Sequence, residues 1–495
     1  MKYDILERMD YEAIIGLELH AELNTKTKMF CYSANDPDEK HPNFNICPIC
    51  LGHPGTLPTI NVEAVKKVRM VGLALNGDAA LFSQFDRKHY FYPDLPKGYQ
   101  ISQYEHPLIR GGYMDVLGRR MRITRIHLEE DTGRLLHDPV DQSSLIDFNR
   151  AGIPLMELVT EPDFRSGEEV RYFGEELQRL LRYLHASDAD MEKGQMRVEV
   201  NISLRKKGAE ALGTKVEVKN INSFKFASDA VEYETERQSK LLEAGEKITQ
   251  ETRGWSEHRK ETFSQRLKEE AHDYRYFPEP DLPPLKISPE YVEELRSLLP
   301  ELARAKRVRF SREYGLETHV SEHISRDKEF ADYFEMVVSE LKQHSKETAH
   351  MPTGNLEKRT ASFMTGDFMR LLHERQLSAA DSGITPENLA ELILYLAEEK
   401  ISNVVAEKVL QEMCGTGEDP SDIIEKQALW QMNIVGDIED IARSILLSHP
   451  KALEDYRKGK ESSLQFLVGQ MMKESRGKVN PKVAQEALIK IMSLS

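Results

Sequence analysis

The pattern of apolar and polar positions along the chain changes near residue 290. Before that point, short runs alternate between apolar and polar residues, as half-buried strands do, and turn signals separate them. The clearest runs are residues 16–23, 196–205 and 215–224. Five prolines in residues 276–290 then break the pattern, because proline neither continues a helix nor donates to a sheet ladder. This segment predicts the end of a strand-rich domain.

Beyond residue 290 the apolar residues recur at three- and four-residue spacing, which predicts helices. One helix is expected to begin at Thr385, because threonine is a good cap and Pro386 suits the first helical position. A second break lies in residues 414–422, and the rest of the chain has the pattern of a small helical bundle. The sequence therefore predicts three domains: residues 1–290, 291–415 and 416–495.

The size and charge of the chain limit its class. A chain of 495 residues exceeds what one hydrophobic core usually supports. Its net charge of −16 argues against a protein that binds nucleic acid over its whole surface, but it leaves local contacts open. Residues 451–495 carry nine basic and five acidic side chains. This basic tail is either an arm that contacts phosphates or a solvated helical surface, and its charge alone does not decide between them.

Two further features concern location and cysteine chemistry. The chain has neither a basic and apolar leader nor an apolar run long enough to span a membrane, so we expect a cytoplasmic protein. Cys31, Cys47 and Cys50 cluster near the N-terminus with the spacing of a structural zinc site, which needs four ligands. Either His41 or His53 completes the set, or the site is vestigial.

Acidic residues recur on the polar faces of the predicted strands. In the first run, Glu18, His20 and Glu22 share one face. Such a face is typical either of solvent exposure or of groups that bind a metal or transfer protons. If carboxylates from several strands converge on one concave face, they form an oxygen-ligand site for Mg²⁺ beside a nucleotide; otherwise they are solvated or in salt bridges. The other candidates are Glu129, Glu130, Asp131, Glu157, Glu161, Glu199 and Glu217.

Residues 85–104 have an unusual composition, with three basic side chains and four tyrosines. Aromatic rings stack on nucleobases and cations pair with phosphate, so the segment suits a nucleotide or the single-stranded end of a nucleic acid. A well-packed loop is the alternative. No Walker A motif or kinase-type glycine-rich loop occurs in the sequence, which disfavours those mechanisms. The side chains concerned are Arg87, Lys88 and Lys97 with Tyr90, Tyr92, Tyr99 and Tyr104.

Several longer motifs are recognisable when they are taken together. They are IGLELHAELNTKTKMFC, NICPICLGHPGTLPTIN, FDRKHYFYPDLPKGYQISQ, RIHLEEDTGR, GIPLMELVTEPD, VEVNISLR, VEVKNINSFKF, ETRGW, DYRYFPEPDLPPL and FLVGQMMKESRGKVNP. In this order, from Tyr11 to the C-terminus, the chain resembles the B subunit of the aspartyl/glutamyl-tRNA(Asn/Gln) amidotransferase, the GatB family. The resemblance implies an α+β fold, with an antiparallel-sheet cradle domain followed by an all-α helical domain and a small helical tail domain.

The resemblance also implies a function. A family member binds misacylated Glu-tRNA(Gln) or Asp-tRNA(Asn) and uses ATP and Mg²⁺ to phosphorylate the side-chain carboxylate of the esterified amino acid. Ammonia, released from glutamine by the amidase, which is the A subunit of the complex, then displaces the phosphate, and a small C subunit joins the other two. We therefore expect a ligase of translation in a heterotrimer, with no membrane and no DNA partner. Two other hypotheses stay open: a non-catalytic tRNA-binding scaffold of the same complex, and a free-standing ligase that acts on free glutamate or aspartate.

The resemblance assigns roles to individual residues. The implied catalytic residues are Glu18, His20, Glu130, Lys88, Arg197 and Lys219. The implied Mg²⁺ ligands are Glu18, His20, Glu130, Glu157, Glu199 and Glu217. Contacts to the nucleotide are assigned to Arg87, Lys88, Lys97 and Tyr90, and contacts to tRNA to Lys473, Arg476 and Lys478.

The chain departs from the family pattern at two places. Tyr32 and Ser33 follow Cys31, where members with a metal knuckle have C-x-C, so the fourth zinc ligand is missing. Glu199 stands where aspartate is common in the family. The longer side chain shifts the expected ligand geometry, but neither departure removes a group that phosphorylation requires.

Overall fold

The structure is a computed structural model, and it describes residues 10–137, 143–267, 274–348, 355–431, 435–475 and 479–494. The chain divides into two compact units, one ending at Leu302 and the other beginning at Ala303. Each unit has buried apolar residues of its own. All of the candidate nucleotide and metal residues belong to the first unit.

The first unit combines strands with helices. Its strands are β1 (Tyr11–Glu22), β2 (Asp78–Ala79), β3 (Phe82–Ser83), β4 (Asp86–His89), β5 (Tyr99–Ser102), β6 (Ile109–Arg110), β7 (Tyr113–Val116), β8 (Arg119–Glu130), β9 (Arg134–His137), β10 (Ser144–Asp147), β11 (Pro154–Thr160), β12 (Met196–Lys206), β13 (Val216–Ile221), β14 (Glu251–Ser256), β15 (Glu261–Leu267), β16 (Phe277–Pro278) and β17 (Leu285–Lys286). Its helices are α1 (Val62–Ala74), α2 (Gly167–Tyr183), α3 (Phe224–Glu243) and α4 (Pro289–Ser297).

One large sheet dominates this unit. Its strand order is β15-β14-β13-β12-β1-β11-β8-β6-β2, and β7 pairs with β8. Neighbouring strands are antiparallel except β13 and β14, which are parallel. Shorter pairings join β10 to β9, β16 and β5 to β4, and β17 to β3. The predicted α+β class is confirmed, with a largely antiparallel sheet in the first part of the chain and helices in the second.

Strand β1 lies in the middle of the large sheet and shows the alternation that the sequence predicts. Leu17, Leu19 and Ala21 are each 1% exposed and belong to the same apolar core as Phe173 of α2 and Phe224 of α3. The side chains between them project to the opposite, polar face. The apolar face therefore anchors the sheet to the helices, and the polar face is available for chemistry.

The second unit is helical. Thr385 caps α10 by accepting a hydrogen bond from the main-chain N–H of Asn388, and Pro386 occupies the first turn, as predicted. None of the helices in the described ranges combines the length and the apolar character needed to cross a membrane. The helices are α5 (Ala303–Glu313), α6 (Thr318–Ile324), α7 (Lys328–Thr348), α8 (Leu356–Phe363), α9 (Met369–Arg375), α10 (Pro386–Ala397), α11 (Asn403–Thr416), α12 (Pro420–Lys426), α13 (Val435–Ser448), α14 (Pro450–Arg457), α15 (Glu461–Glu474) and α16 (Pro481–Leu494), with a π-helical turn at Met364–Phe368 and a 3₁₀ turn at Ala380–Ser382.

The apolar cores do not end where the sequence pattern suggests. Val292 and Leu295 of α4 pack in the core of the first unit, so this unit extends past residue 290. In the second unit, one apolar cluster continues as far as Leu429 and another begins at Ile438. The first of these clusters passes residue 415 because α12 packs against α10 and α11. The assignment of three functional domains stays a prediction.

Candidate functional site

Five neighbouring strands, β13, β12, β1, β11 and β8, place polar side chains in a row across one face of the large sheet. Glu18 lies directly opposite Glu199 in the pairing of β1 with β12, and His20 lies opposite Glu157 in the pairing of β1 with β11. Glu157 in turn lies opposite His127 on β8. Because alternate residues of a strand share a face, these side chains all project to the same side, and we call them the polar row.

Glu217 on β13 lies opposite Asn201 on β12 and extends this row. Three carboxylates in the row form what we call the carboxylate cluster: Glu18, Glu199 and Glu217. Oxygens of the three lie within 4.8 Å of one another. Asn201 Nδ2 donates to Glu18 Oε1 at 2.9 Å, whereas Asn201 Oδ1 is buried with no hydrogen-bond partner in the described part of the chain. Lys219 Nζ lies 2.8 Å from Glu199 Oε2 and 3.4 Å from Glu217 Oε1. Two of the three acids therefore share one ammonium group.

The negative charge of the carboxylate cluster is only partly compensated. Burial raises the pKa of Glu18 above its ordinary value, and the charges of Glu157 and Glu199 raise it further. A hard divalent cation prefers carboxylate and carbonyl oxygens as ligands. The cluster offers three carboxylates and the unpaired Asn201 oxygen, so its donor set fits Mg²⁺.

His20, Glu129 and Glu157 form a second group, the histidine cluster, whose ligand atoms also lie within 4.8 Å of one another. His20 Nε2 lies 3.4 Å from Glu157 Oε2 and 3.8 Å from Glu129 Oε1. His127 Nε2 lies 3.3 Å from the same Glu157 oxygen. Burial raises the pKa of Glu157, but His127 and His20 more than offset this effect and hold it well below its ordinary value.

The pKa of His20 shifts upward, in the opposite direction to that of Glu157. Burial lowers the pKa of His20, but the hydrogen bond and charge of Glu157 raise it overall to about 9. A protonated imidazole held between two carboxylates marks a position where positive charge is favoured. The histidine cluster can therefore hold either a proton or a cation at this position.

The structure corrects the position of one predicted ligand. On β8, Glu129 projects into the polar row, and Glu130 projects to the opposite face because successive strand residues alternate. Glu130 accepts hydrogen bonds from Lys97 Nζ at 2.8 Å and from the main-chain N–H of Ile101 at 2.9 Å. Of the six predicted Mg²⁺ ligands, the structure brings together Glu18, His20, Glu157, Glu199 and Glu217, and Glu129 takes the place of Glu130.

Two of the predicted phosphate contacts, Lys97 and Arg87, pair with carboxylates outside the polar row. Lys97 and Glu130 line a cavity of about 130 Å³. Arg87 donates two hydrogen bonds to Glu279, at 2.7 and 2.8 Å, and its guanidinium lies 4.3 Å from the centre of the Tyr99 ring. The contacts that the structure describes for Arg87 and Lys97 are therefore with residues outside the two clusters.

Lys88, by contrast, borders the histidine cluster. Burial lowers the pKa of Lys88, but nearby negative charge, with Glu129 the largest contributor and Glu157 among the others, raises it overall above its ordinary value. Ser102 on β5, the strand that pairs with β4, donates to Glu129 Oε2 at 3.2 Å, so the strand pair that carries Lys88 lies beside the histidine cluster. Tyr90, another predicted nucleotide contact, packs edge to face against Tyr274 with ring centres 6.0 Å apart.

Arg197 and Lys219 also lie along the polar row. Arg197 is directly opposite His20 in the pairing of β1 with β12, and it donates to Asp131 Oδ2 at 2.9 Å. Lys219 lies between Glu199 and Glu217, as described above. Three of the predicted cations, Lys88, Arg197 and Lys219, thus surround the clusters.

Two residues of the row, His127 and Asn201, have no role in the sequence-based assignment. The signal that identifies them is the alternation itself. His127 stands two positions before Glu129 in the motif RIHLEE, and Asn201 stands two positions after Glu199 in VEVNISLR. Residues two apart on a strand share a face, so each of them accompanies a cluster carboxylate.

The three N-terminal cysteines form a separate group, with their sulfur atoms within 4.8 Å of one another. The hydrogen bond with Cys31 lowers the pKa of the Cys50 thiol to about 5; burial opposes this effect and the nearby Lys28 ammonium adds to it. Neither His41 nor His53 belongs to the group, which offers three of the four ligands of a structural zinc site. The described residues do not complete that set, and zinc binding stays a prediction.

The three predicted tRNA contacts lie in the second unit. Lys473 is in the last turn of α15. Arg476 and Lys478 fall outside the described residues. Their role in binding tRNA stays a prediction.

Comparison with known protein families agrees with this architecture. Residues 13–293, which contain both clusters, match the model of the GatB/GatE catalytic domain, and residues 332–492 match the model of the GatB domain. The chain belongs to the GatB family. The resemblance that the motifs carry is therefore confirmed.

Individual members of the GatB family are similar to the chain over almost their entire length. A protein of Dehalococcoides mccartyi is 46% identical over 491 residues, which cover 97% of this chain and 99% of the relative. One from Caldicellulosiruptor saccharolyticus is 45% identical over 487 residues, covering 97% and 98%. One from Gloeothece citriformis is 43% identical over 498 residues, covering 98% of each. All three are named as the B subunit of an aspartyl/glutamyl-tRNA(Asn/Gln) amidotransferase.

Proposed function

We propose that the chain is the component of a tRNA-dependent amidotransferase that binds misacylated tRNA, phosphorylates the esterified amino acid with ATP and amidates it. One observation carries the proposal: carboxylates and an imidazole from five strands converge into two ligand-sized clusters on one face of a sheet. The names of the relatives, which refer to aspartyl- and glutamyl-tRNA, support the substrate class.

The proposed reaction has two steps. A carboxylate oxygen of the glutamyl or aspartyl side chain attacks the terminal phosphorus of ATP, the bond from this phosphorus to the bridging oxygen breaks, and ADP leaves. Ammonia then attacks the acyl carbon, the bond from this carbon to the phosphate oxygen breaks, and the nitrogen loses a proton. The products are Gln-tRNA(Gln) or Asn-tRNA(Asn), with ADP and phosphate.

The charges of the polar row suit the first step. In this proposal the carboxylate cluster, with the Asn201 oxygen, holds Mg²⁺, and the histidine cluster holds a second cation. When bound there, Mg²⁺ would supply positive charge that offsets the charge of the nucleotide phosphates. Lys88, Arg197 and Lys219 add positive charge from the protein at fixed positions around the clusters. These side chains orient the phosphates and the substrate carboxylate, which would otherwise repel each other.

The proposal includes partners. We take the ammonia to come from a separate amidase, the A subunit, and a small C subunit to join the amidase to this chain. This arrangement follows the designation of the relatives as B subunits, which implies an assembly of several chains. We place the reaction in the cytoplasm, where aminoacylated tRNAs are used in translation.

A non-catalytic tRNA-binding scaffold is the competing hypothesis, and it predicts normal amidation when the clusters are disabled. The test uses the complex purified with its amidase partners, ATP and either misacylated tRNA. We expect Glu18→Ala combined with Glu129→Ala to slow amidation by about 10²–10³-fold while tRNA still binds. Glu246→Ala, which removes an exposed carboxylate of the same unit, is the matched control and retains full activity.

Normal amidation by the double variant would establish the scaffold hypothesis. A free-standing ligase makes a different prediction, because it forms free glutamine or asparagine without tRNA. Leaving tRNA out of the same assay therefore separates this third hypothesis from the other two.

A further inference from the structure

Four tyrosines form a connected aromatic cluster, which we call the tyrosine platform: Tyr90, Tyr104, Tyr274 and Tyr276. The rings of Tyr104 and Tyr276 are stacked, with centres 4.4 Å apart and planes inclined by 13°. Tyr276 packs edge to face against Tyr274 at 6.3 Å, and Tyr274 packs in the same way against Tyr90 at 6.0 Å. The rings come from two segments that are distant in the sequence, so the platform is a product of the fold.

The platform borders the histidine cluster. The Lys88 ammonium lies 5.2 Å from the centre of the Tyr274 ring. Burial, the largest influence, and the charges of Glu129 and Glu157 raise the pKa of Tyr276 to about 12, against the lowering effect of Lys88. The contact of Lys88 with Tyr274, and of Tyr274 with Tyr276, places these rings on the side of the platform that faces the histidine cluster. A ligand stacked on the platform is adjacent to the proposed cation site.

Tyr104 is the ring of the platform that is most open to solvent. Tyr104 is 51% exposed. Its main-chain N–H donates to Asp86 Oδ2 at 2.9 Å, which fixes the position of the residue. A large aromatic surface that is fixed in place and accessible beside a polar site suits a flat ligand that binds by stacking.

We propose that the tyrosine platform stacks an unpaired nucleobase at the 3′ end of the tRNA. This inference rests on the proposed function, in which the aminoacylated 3′ end reaches the clusters and its unpaired bases lie alongside. Single-stranded RNA stacks its bases on open aromatic rings, whereas a free nucleotide is usually held in an enclosed pocket. The exposure of Tyr104 favours the RNA end over the adenine of ATP.

The experiment compares how tightly the full-length chain binds an intact tRNA transcript and the same transcript without its unpaired 3′ nucleotides. At one fixed salt concentration, we expect the unaltered chain to bind intact tRNA about ten-fold more tightly. Tyr104→Ala removes most of this preference, and Tyr104→Trp, which keeps a stacking ring, retains it. Tyr32→Ala is the matched control and also retains it, because Tyr32 is 81% exposed and lies outside the platform.

Two results would overturn the inference. The first is equal binding of both transcripts by the unaltered chain, and the second is an unchanged preference in Tyr104→Ala. If Tyr104→Ala keeps the tRNA preference and also binds Mg-ADP more weakly, the platform is assigned to adenine instead. These results are measured by binding alone. The proposed function would instead be contradicted by normal amidation in the variant that combines Glu18→Ala with Glu129→Ala. The two failures are therefore distinguishable.

Discussion

Glu18 on β1 and Glu199 on β12 lie directly opposite each other in an antiparallel pair, and both carboxylates belong to the carboxylate cluster. Like charges directly across a strand pair destabilise a sheet. The chain keeps this pair in the middle of its largest sheet, where neutral residues would hold the strands together better. Stability is commonly sacrificed in this way at functional sites.

We expect Glu18→Gln to raise the free energy of unfolding by about 1 kcal/mol at pH 7 without Mg²⁺. The raised pKa of Glu18 means that folding disfavours its charged form, and glutamine removes the charge while keeping an oxygen for Asn201. Urea unfolding measures the difference. Glu12→Gln, on the same strand, is the control and brings no gain, because Glu12 pairs with Arg205. A destabilised Glu18→Gln protein would contradict this account of the cluster.

The two successive glutamates of β8 provide a matched comparison. We expect Glu129→Gln to weaken Mg²⁺ binding by about ten-fold or more, because it removes a charge from the histidine cluster. Glu130→Gln leaves Mg²⁺ binding unchanged, since Glu130 pairs with Lys97 instead. Isothermal titration of each variant with magnesium chloride measures the affinity. A larger effect of Glu130→Gln than of Glu129→Gln would return Glu130 to the ligand set.

A buried carboxylate joins helix α3 to strands β14 and β15. Glu234 accepts hydrogen bonds from Arg237 at 2.9 and 2.8 Å, and it also contacts Arg253 on β14 and Thr262 on β15. Burial raises the pKa of Glu234, but Arg237, with Gln238 and Thr262, lowers it overall below the usual 4.5. The ionised form of Glu234 therefore stabilises the folded protein.

We expect Glu234→Gln to reduce the free energy of unfolding by about 3 kcal/mol at pH 7, because it leaves Arg237 without its buried partner and Arg253 with Glu251 alone. A carboxylate whose pKa is lowered by folding contributes fully above its unfolded pKa and loses that contribution as the pH falls toward the folded value. The difference between the variant and the unaltered chain should thus shrink when urea unfolding is repeated at progressively lower pH, starting from about 4.5. A difference that is constant across this range would mean that the charge of Glu234 is not the stabilising feature.

The basic tail leads to a prediction about tRNA affinity. Changing Lys473, Arg476 and Lys478 to glutamate should weaken tRNA binding and flatten its salt dependence, with the logarithmic slope falling by about 0.7–0.9 for each phosphate that the tail no longer neutralises. Filter binding at several salt concentrations measures both quantities, and ATP hydrolysis without tRNA stays unchanged. Lys247→Glu, an exposed charge reversal in the first unit, is the control. Unaltered affinity in the triple variant would exclude the tail from the binding surface.

Much of the candidate site could be predicted from alternation within single strands. The run at residues 16–23 places Glu18 and His20 on one face, and the runs around Glu199 and Glu217 do the same for their carboxylates. These segments have one apolar face and one polar face, so their periodicity carries most of the information about which side chains meet. The structure brings these four side chains to the same face of one sheet.

The sequence could not supply the relations between distant segments. Arg87 and Lys88 are adjacent in a strand, yet Arg87 pairs with Glu279, almost two hundred positions away, while Lys88 approaches the histidine cluster. The choice between Glu129 and Glu130 depends on which face of β8 belongs to the polar row. The local motif alone does not determine that face. The packing of α4 on the core of the first unit could not be predicted either, because the proline-rich segment before this helix indicates a domain boundary.

The arrangement of β8 limits which sequence changes this strand can accept. Its last two residues, Glu129 and Glu130, project to opposite faces of the sheet. The odd and even positions of the strand therefore contact different surroundings. Single substitutions alter one environment and spare the other. A deletion or insertion of one residue within Arg119–Glu130 would interchange the two sets and disable both together. We therefore expect a change in the length of this strand to be tolerated less well than most substitutions of its side chains.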